Sequence, residues 1–215
     1  MLIPEWRQRG GAGAVVGVCD TGLETSLPCF AGKELVYRTF GTAGRRHGTH
    51  VASTIFGIAP QVKMVFAGGI MDSYARLERM LEWMASFHID VLNLSLAFPA
   101  RDEAILALIR EMNSHGAIVV CARAPGLPFP WSEPEFLSAG PGGDFPAPAE
   151  WTAFSPGGYR TRMRGSSVSA AVTSGFCALG KAVNPGLDRE RFLALAAPDD
   201  IPVNNRPKRQ VNLKL

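Results

Sequence analysis

Apolar positions along the chain fall into two rhythms. Residues 14–19 form a short run rich in β-branched side chains that stops at Asp20-Thr21-Gly22. Such a run predicts a buried strand ending in a turn. Similar runs predict strands over 62–67, 90–96 and 117–122. Between them the apolar positions spread to helical spacing. Leu77, Met80, Leu81 and Met84 mark a helix within 74–87, and Ile105, Leu106, Leu108, Ile109 and Met112 another within 102–113. Residues 167–181, rich in small side chains, predict a mostly buried helix, and 188–196 a short one with Asp188 as N-cap. Strands alternating with helices predict an α/β domain, a mainly parallel sheet with helices on both faces. Right-handed crossovers are expected between the strands. Ligand sites in such sheets lie beyond the carboxyl ends of the strands. Asp20, the segment after Leu96, and Arg123-Ala124-Pro125 all lie at such ends, so they should converge on one crevice.

A chain of 215 residues suits one domain, assigned here to 1–197, followed by a polar, basic tail at 198–215 that is surface-packed or mobile. The Pro- and Gly-rich stretch 125–158 is expected to be loops of the same domain. Hydrophobic residues make up 47% and charged residues 19%, and the net charge is only +3. This balance gives no reason to expect a nucleic-acid partner. The cysteines Cys19, Cys29, Cys121 and Cys177 match no metal or redox spacing and read as free thiols, which fit the cytosol. No secretory h-region and no run of 18 apolar residues occurs. The expectation is a cytoplasmic protein without a membrane partner.

Three segments carry chemistry together: Asp20-Thr-Gly22, His47-Gly-Thr-His50-Val-Ala52, and Gly165-Ser-Ser167 opening the small-residue helix. A serine hydroxyl needs a base to take its proton. Histidine suits that task near neutral pH. A carboxylate behind the histidine fixes its tautomer and stabilises the imidazolium that forms. The first segment alone is a capped turn, and the third alone a packing device. The double-histidine segment is more specific, and the ordered trio more specific still.

On these residues the chain resembles the subtilisin-like serine proteases, over roughly residues 14 to 197. The resemblance implies a catalytic triad of Asp20, His47 and Ser167, with the backbone N–H of Ser167 as an oxyanion donor. It implies a substrate-pairing segment at Ser95, Leu96 and Ala97, while His50, nearly one helical turn beyond His47, reads as structural. No cofactor and no metal are expected in this chain. The gap from Asp20 to His47 is only 27 residues, and Thr54 to Pro60 runs straight on where many family members carry a calcium loop. The segments Leu27-Pro-Cys-Phe30 and His47 to Gly57 are similar to subtilases of cyanobactin-type peptide biosynthesis, which cut ribosomal precursor peptides.

One departure bears on catalysis. Where the family has Gly-Asn after its next strand, this chain has Arg123-Ala124. Ala124 has no side-chain donor for the oxyanion. Arg123 either swings inward to replace it or points to solvent. The leading expectation is an endopeptidase acting on a specific peptide. A pseudo-protease that only binds, and a transpeptidase or macrocyclase, are the alternatives. Arg45, Arg46, Arg123, Arg160, Arg162 and Arg164 all fall near the expected centre. In a strand, Arg160, Arg162 and Arg164 share one face. With Arg162 and Arg164 counted as substrate contacts, the partner expected is an acidic precursor or leader peptide.

Overall fold

The computed structural model describes residues 3–44, 46–70 and 72–196. The tail expected at 198–215 lies outside them. Six strands form one parallel sheet: β1 (Val15–Asp20), β2 (Leu35–Thr39), β3 (Lys63–Gly68), β4 (Val91–Leu94), β5 (Ile118–Ala122) and β6 (Leu137–Ala139). Their order across the sheet is β2-β3-β1-β4-β5-β6. The helices are α1 (Ile3–Gln8), α2 (Arg46–Ile58), α3 (Tyr74–Ala85), α4 (Glu103–Ser114), α5 (Ser166–Val183) and α6 (Arg189–Leu195). A separate antiparallel ribbon pairs β7 (Glu150–Phe154) with β8 (Arg160–Arg164).

Alternation along the strands sorts their side chains into two cores. Val16 and Val18 of β1, with Met64 and Phe66 of β3, join α1, α2, α5 and α6 in one cluster. Cys19, Val65 and Ala67 point the other way, into a cluster with α3 and α4. Asp20, one residue past Cys19, therefore falls on the α2/α5 face.

The crossovers correct one expectation. The steps from β2 to β3 and from β3 to β4 run in the same direction across the sheet. Yet α2 lies on one face and α3 on the other. Two connections with that relationship have opposite hands. The β4-to-β5 step through α4 agrees with that through α3, so α2 makes the left-handed exception to a strong rule. Packing shows what holds α2 on its face. A Cβ built at Gly175 of α5 would lie 2.9 Å from the Cβ of Ile58, so the two helices meet closely there.

Residues 125–158 are not all loop. Leu137–Ala139 pairs in parallel with β5, and Glu150–Phe154 with β8. The Asp188 side chain accepts from the Arg191 N–H at 2.8 Å, capping α6. Among the described residues, no helix is long and apolar enough to cross a membrane.

Candidate active site

After β1 the chain moves to one side of the sheet (β2, β3) and then to the other (β4, β5, β6). The carboxyl end of β1 is thus the point where strand order reverses, the usual place for a site in such sheets. Asp20 stands there, 3% exposed. One of its oxygens accepts from the N–H of Thr21 at 2.6 Å. The Nδ1 of His47 lies 2.8 Å and 2.9 Å from its two oxygens. His47 is in the first turn of α2, and its neighbour explains the approach. A Cβ at Gly48 would fall 2.3 Å from the Gly22 carbonyl oxygen, so only glycine lets the helix start sit on the turn after β1. The Gly48 N–H donates to the Thr21 hydroxyl at 3.2 Å, and the Glu24 N–H to the Thr49 hydroxyl at 2.9 Å.

Burial by itself lowers the pKa of His47. The hydrogen bond to Asp20 and the charge behind it outweigh burial and leave the imidazole above its ordinary value. His50, three residues on, is 1% exposed. Its Nε2 donates to the Thr161 carbonyl at 3.3 Å, and burial holds its pKa down.

Ser167 lies in the first turn of α5, capped by Gly165 at φ 132°, a backbone geometry that favours glycine. The Val168 N–H of that turn donates back to the Gly165 carbonyl at 3.0 Å, and the helix dipole points its positive end there. The Ser167 hydroxyl donates to the Ser95 carbonyl at 3.3 Å, and the Ser95 hydroxyl returns a bond to the Ser167 carbonyl at 3.1 Å. The Ser95 hydroxyl also contacts the Asn93 side-chain oxygen at 2.9 Å, and the Asn93 amide donates to the Ser174 hydroxyl at 3.0 Å. This chain fastens the end of β4 to α5. Sequence reasoning missed Asn93 and Ser174 as part of it, because a buried strand residue and a small helix residue carry no separate signal.

Leu96 and Ala97 follow Ser95, partly exposed, before Phe98 pairs with Phe129. Arg123 comes directly after β5. Its guanidinium lies over the Trp131 ring at 4.8 Å and donates to the Pro141 carbonyl at 3.1 Å. It is therefore held against the wall of the 127–141 loop. The Ala124 carbonyl accepts from the Trp131 indole N–H at 3.1 Å.

The remaining arginines divide. Arg160, Arg162 and Arg164 do share the exposed face of β8. However, Arg162 and Arg164 both pair with Glu150 across the ribbon, and Arg160 lies over the Phe154 ring. Glu150 offsets one of the three positive charges on that strand. Arg46 is exposed, and Arg45 lies outside the described residues.

Among the described residues, no group of three His, Cys, Asp or Glu is placed to hold a metal ion. Burial pushes the thiols of Cys19, Cys121 and Cys177 far up, so they stay protonated.

The sequence profile of the Subtilase family (Peptidase_S8) matches residues 11–126. Subtilisin DY of Bacillus licheniformis is 31% identical over 130 residues, covering 52% of this chain and 47% of that protein. M-protease of Shouchella clausii is 29% identical over 221 residues, covering 85% of this chain and 58% of that protein. The chain thus spans about half the length of these relatives. Subtilisin Savinase of Lederbergia lenta is also 29% identical, with 85% of this chain and 82% of that protein covered. Two solved structures share the fold. The prenylagaramide maturation protease PagA superposes with a TM-score of 0.75 at 22% identity, covering 85% of this chain and 81% of that one. The protease domain of PatA superposes with a TM-score of 0.70 at 23% identity, covering 82% of each. With a matched profile that spans more than half its length, the chain belongs to the subtilase family of serine proteases.

Proposed function

We propose that the chain is a serine endopeptidase whose triad is Asp20, His47 and Ser167. In this reading Ser167 Oγ attacks the scissile carbonyl while His47 takes its proton. His47 then gives the proton to the leaving amine, and Asp20 holds the imidazole throughout. The N–H of Ser167, at the start of α5, donates to the oxyanion. The observation that carries the reading is the seating of His47 Nδ1 on both oxygens of buried Asp20 at the end of β1. The substrate proposed is a specific peptide or protein. The shape shared with a prenylagaramide maturation protease supports a precursor peptide as the finer choice.

Ala124 favours a second reading, a binding module with a weakened site, because it offers no side-chain donor. A fluorophosphonate probe separates the two. Labelling of the wild type and not of Ser167→Ala supports the peptidase. An unlabelled wild type that is folded by circular dichroism supports the binding module.

A further inference from the structure

The geometry points to Arg123 as the residue that reads the substrate side chain just before the cut, and to a carboxylate there, Asp or Glu. This rests on the peptidase reading of the same site.

Sheet order places the wall. Across the sheet the carboxyl ends run from Asp20 (β1) to Ser95 (after β4), then Arg123 (after β5) and Gly140 (after β6). His47 sits with Asp20 on the first side of Ser95. The base must protonate the leaving amine, so the leaving group lies toward His47. The acyl half of the substrate then lies on the other side, over the ends of β4, β5 and β6. An extended peptide laid along 95–97 takes strand-like bonds from that backbone, and its side chains drop into flanking pockets. Arg123 stands in that row of strand ends, between Ser95 and Gly140. A Cβ at Gly140 would stand 3.3 Å from the Cβ of Ser166, and one at Gly142 only 3.4 Å from the Arg123 guanidinium carbon. One short glycine loop thus touches both.

Arg123 is built for recognition there. Trp131 and the Pro141 carbonyl fix the plane of its guanidinium. That uses one of its five N–H donors, and the planar fork of the rest matches a carboxylate. Among the described residues it has no carboxylate partner, whereas Arg162 and Arg164 share Glu150. A Cβ at Gly142 would stand in ordinary contact with the guanidinium, and its φ of 72° favours glycine there. Acidic preference therefore belongs to one position of the substrate, not to a long acidic stretch across the β8 arginines.

The test uses peptidyl-aminocoumarins that differ only before the scissile amide: Asp, Glu, Gln or Lys. Hydrolysis is followed for the wild type, Arg123→Gln and Arg123→Glu, with fluorophosphonate labelling of each preparation. The wild type is expected to favour Asp or Glu over Gln by about tenfold or more in kcat/KM, the scale of a charge-assisted hydrogen bond. Arg123→Gln should erase that preference, and Arg123→Glu should turn it toward Lys. If these variants fail to fold, the wild-type series decides. Equal rates on all four peptides by a labelled enzyme overturn the role of Arg123 and leave the peptidase reading standing. If the wild type takes no label, the peptidase reading fails. Binding of labelled Glu- and Gln-containing pentapeptides to Ser167→Ala then decides alone: tighter Glu binding supports Arg123, and equal binding overturns it.

Discussion

The Nδ1 of His47 stands almost equally far from the two carboxylate oxygens of Asp20, at 2.8 Å and 2.9 Å. Asp20 therefore fixes both the tautomer and the ring angle of His47. Asp20→Asn keeps the volume but loses the acceptor pair. It should lower kcat/KM by about 10³ to 10⁴ while the fold survives. Steady-state kinetics with circular dichroism measures both. A drop below tenfold would remove Asp20 from the triad.

The same pair sets a pH dependence. Only neutral His47 can accept a proton, so kcat/KM should climb with pH along a limb centred above the ordinary histidine value of about 6.5. The folded state favours the protonated ring. Its contribution to stability is thus fully present below about pH 6.5 and is lost as pH rises through the raised folded pKa. In Asp20→Asn burial remains and the charge does not, so the ring should titrate lower than in the wild type. NMR titration of the imidazole checks the shift, and an unmoved pKa would contradict the stated cause.

Ala124→Asn should raise turnover. Loss of the equivalent donor costs about 10² to 10³, a figure measured in subtilisin itself, so restoration can return at most that much. Arg123 is held by Trp131 and Pro141. Arg123→Gln should therefore leave turnover on neutral peptides within a few-fold. A hundredfold loss on those peptides would make Arg123 the oxyanion donor instead.

Two glycines of α2 should behave oppositely. Gly48→Ala forces a methyl against the Gly22 carbonyl, which is backbone and cannot swing aside. The cost should be about 1–3 kcal/mol or more in denaturant unfolding, with activity falling too. Gly57 has open space around its Cβ position. Gly57→Ala should be neutral or stabilising by up to about 1 kcal/mol.

Much of the fold was readable because the central strands are buried on both faces. Val15–Asp20 and Ile118–Ala122 are nearly continuous apolar runs, and α3 and α4 show clean helical spacing. Leu35–Thr39 escaped notice because it is an edge strand with Arg38 and Thr39 exposed. Leu137–Ala139 is only three residues, strand by virtue of pairing with β5. The left-handed passage through α2 has no local signature, since strand order is a property of the whole sheet. At the site, Asp20 and His47 announced themselves by motif. The pairing of Glu150 with Arg162 and Arg164 did not, because Glu150 sits in a Pro-rich stretch and meets its arginines only when β7 and β8 pair.

The sheet is also a partition. Asp20, His47 and Ser167 all hang from elements that pack into the α2/α5 core, and α3 and α4 fill the opposite core. Repacking around Leu81 or Ile109 reaches these three residues through β1, where Cys19 of that core precedes Asp20. A shift at Val51 or Val172 moves the helices that carry His47 and Ser167. Sequence drift on the α3/α4 side therefore reaches these residues through the strands, and drift on the α2/α5 side through the helices themselves.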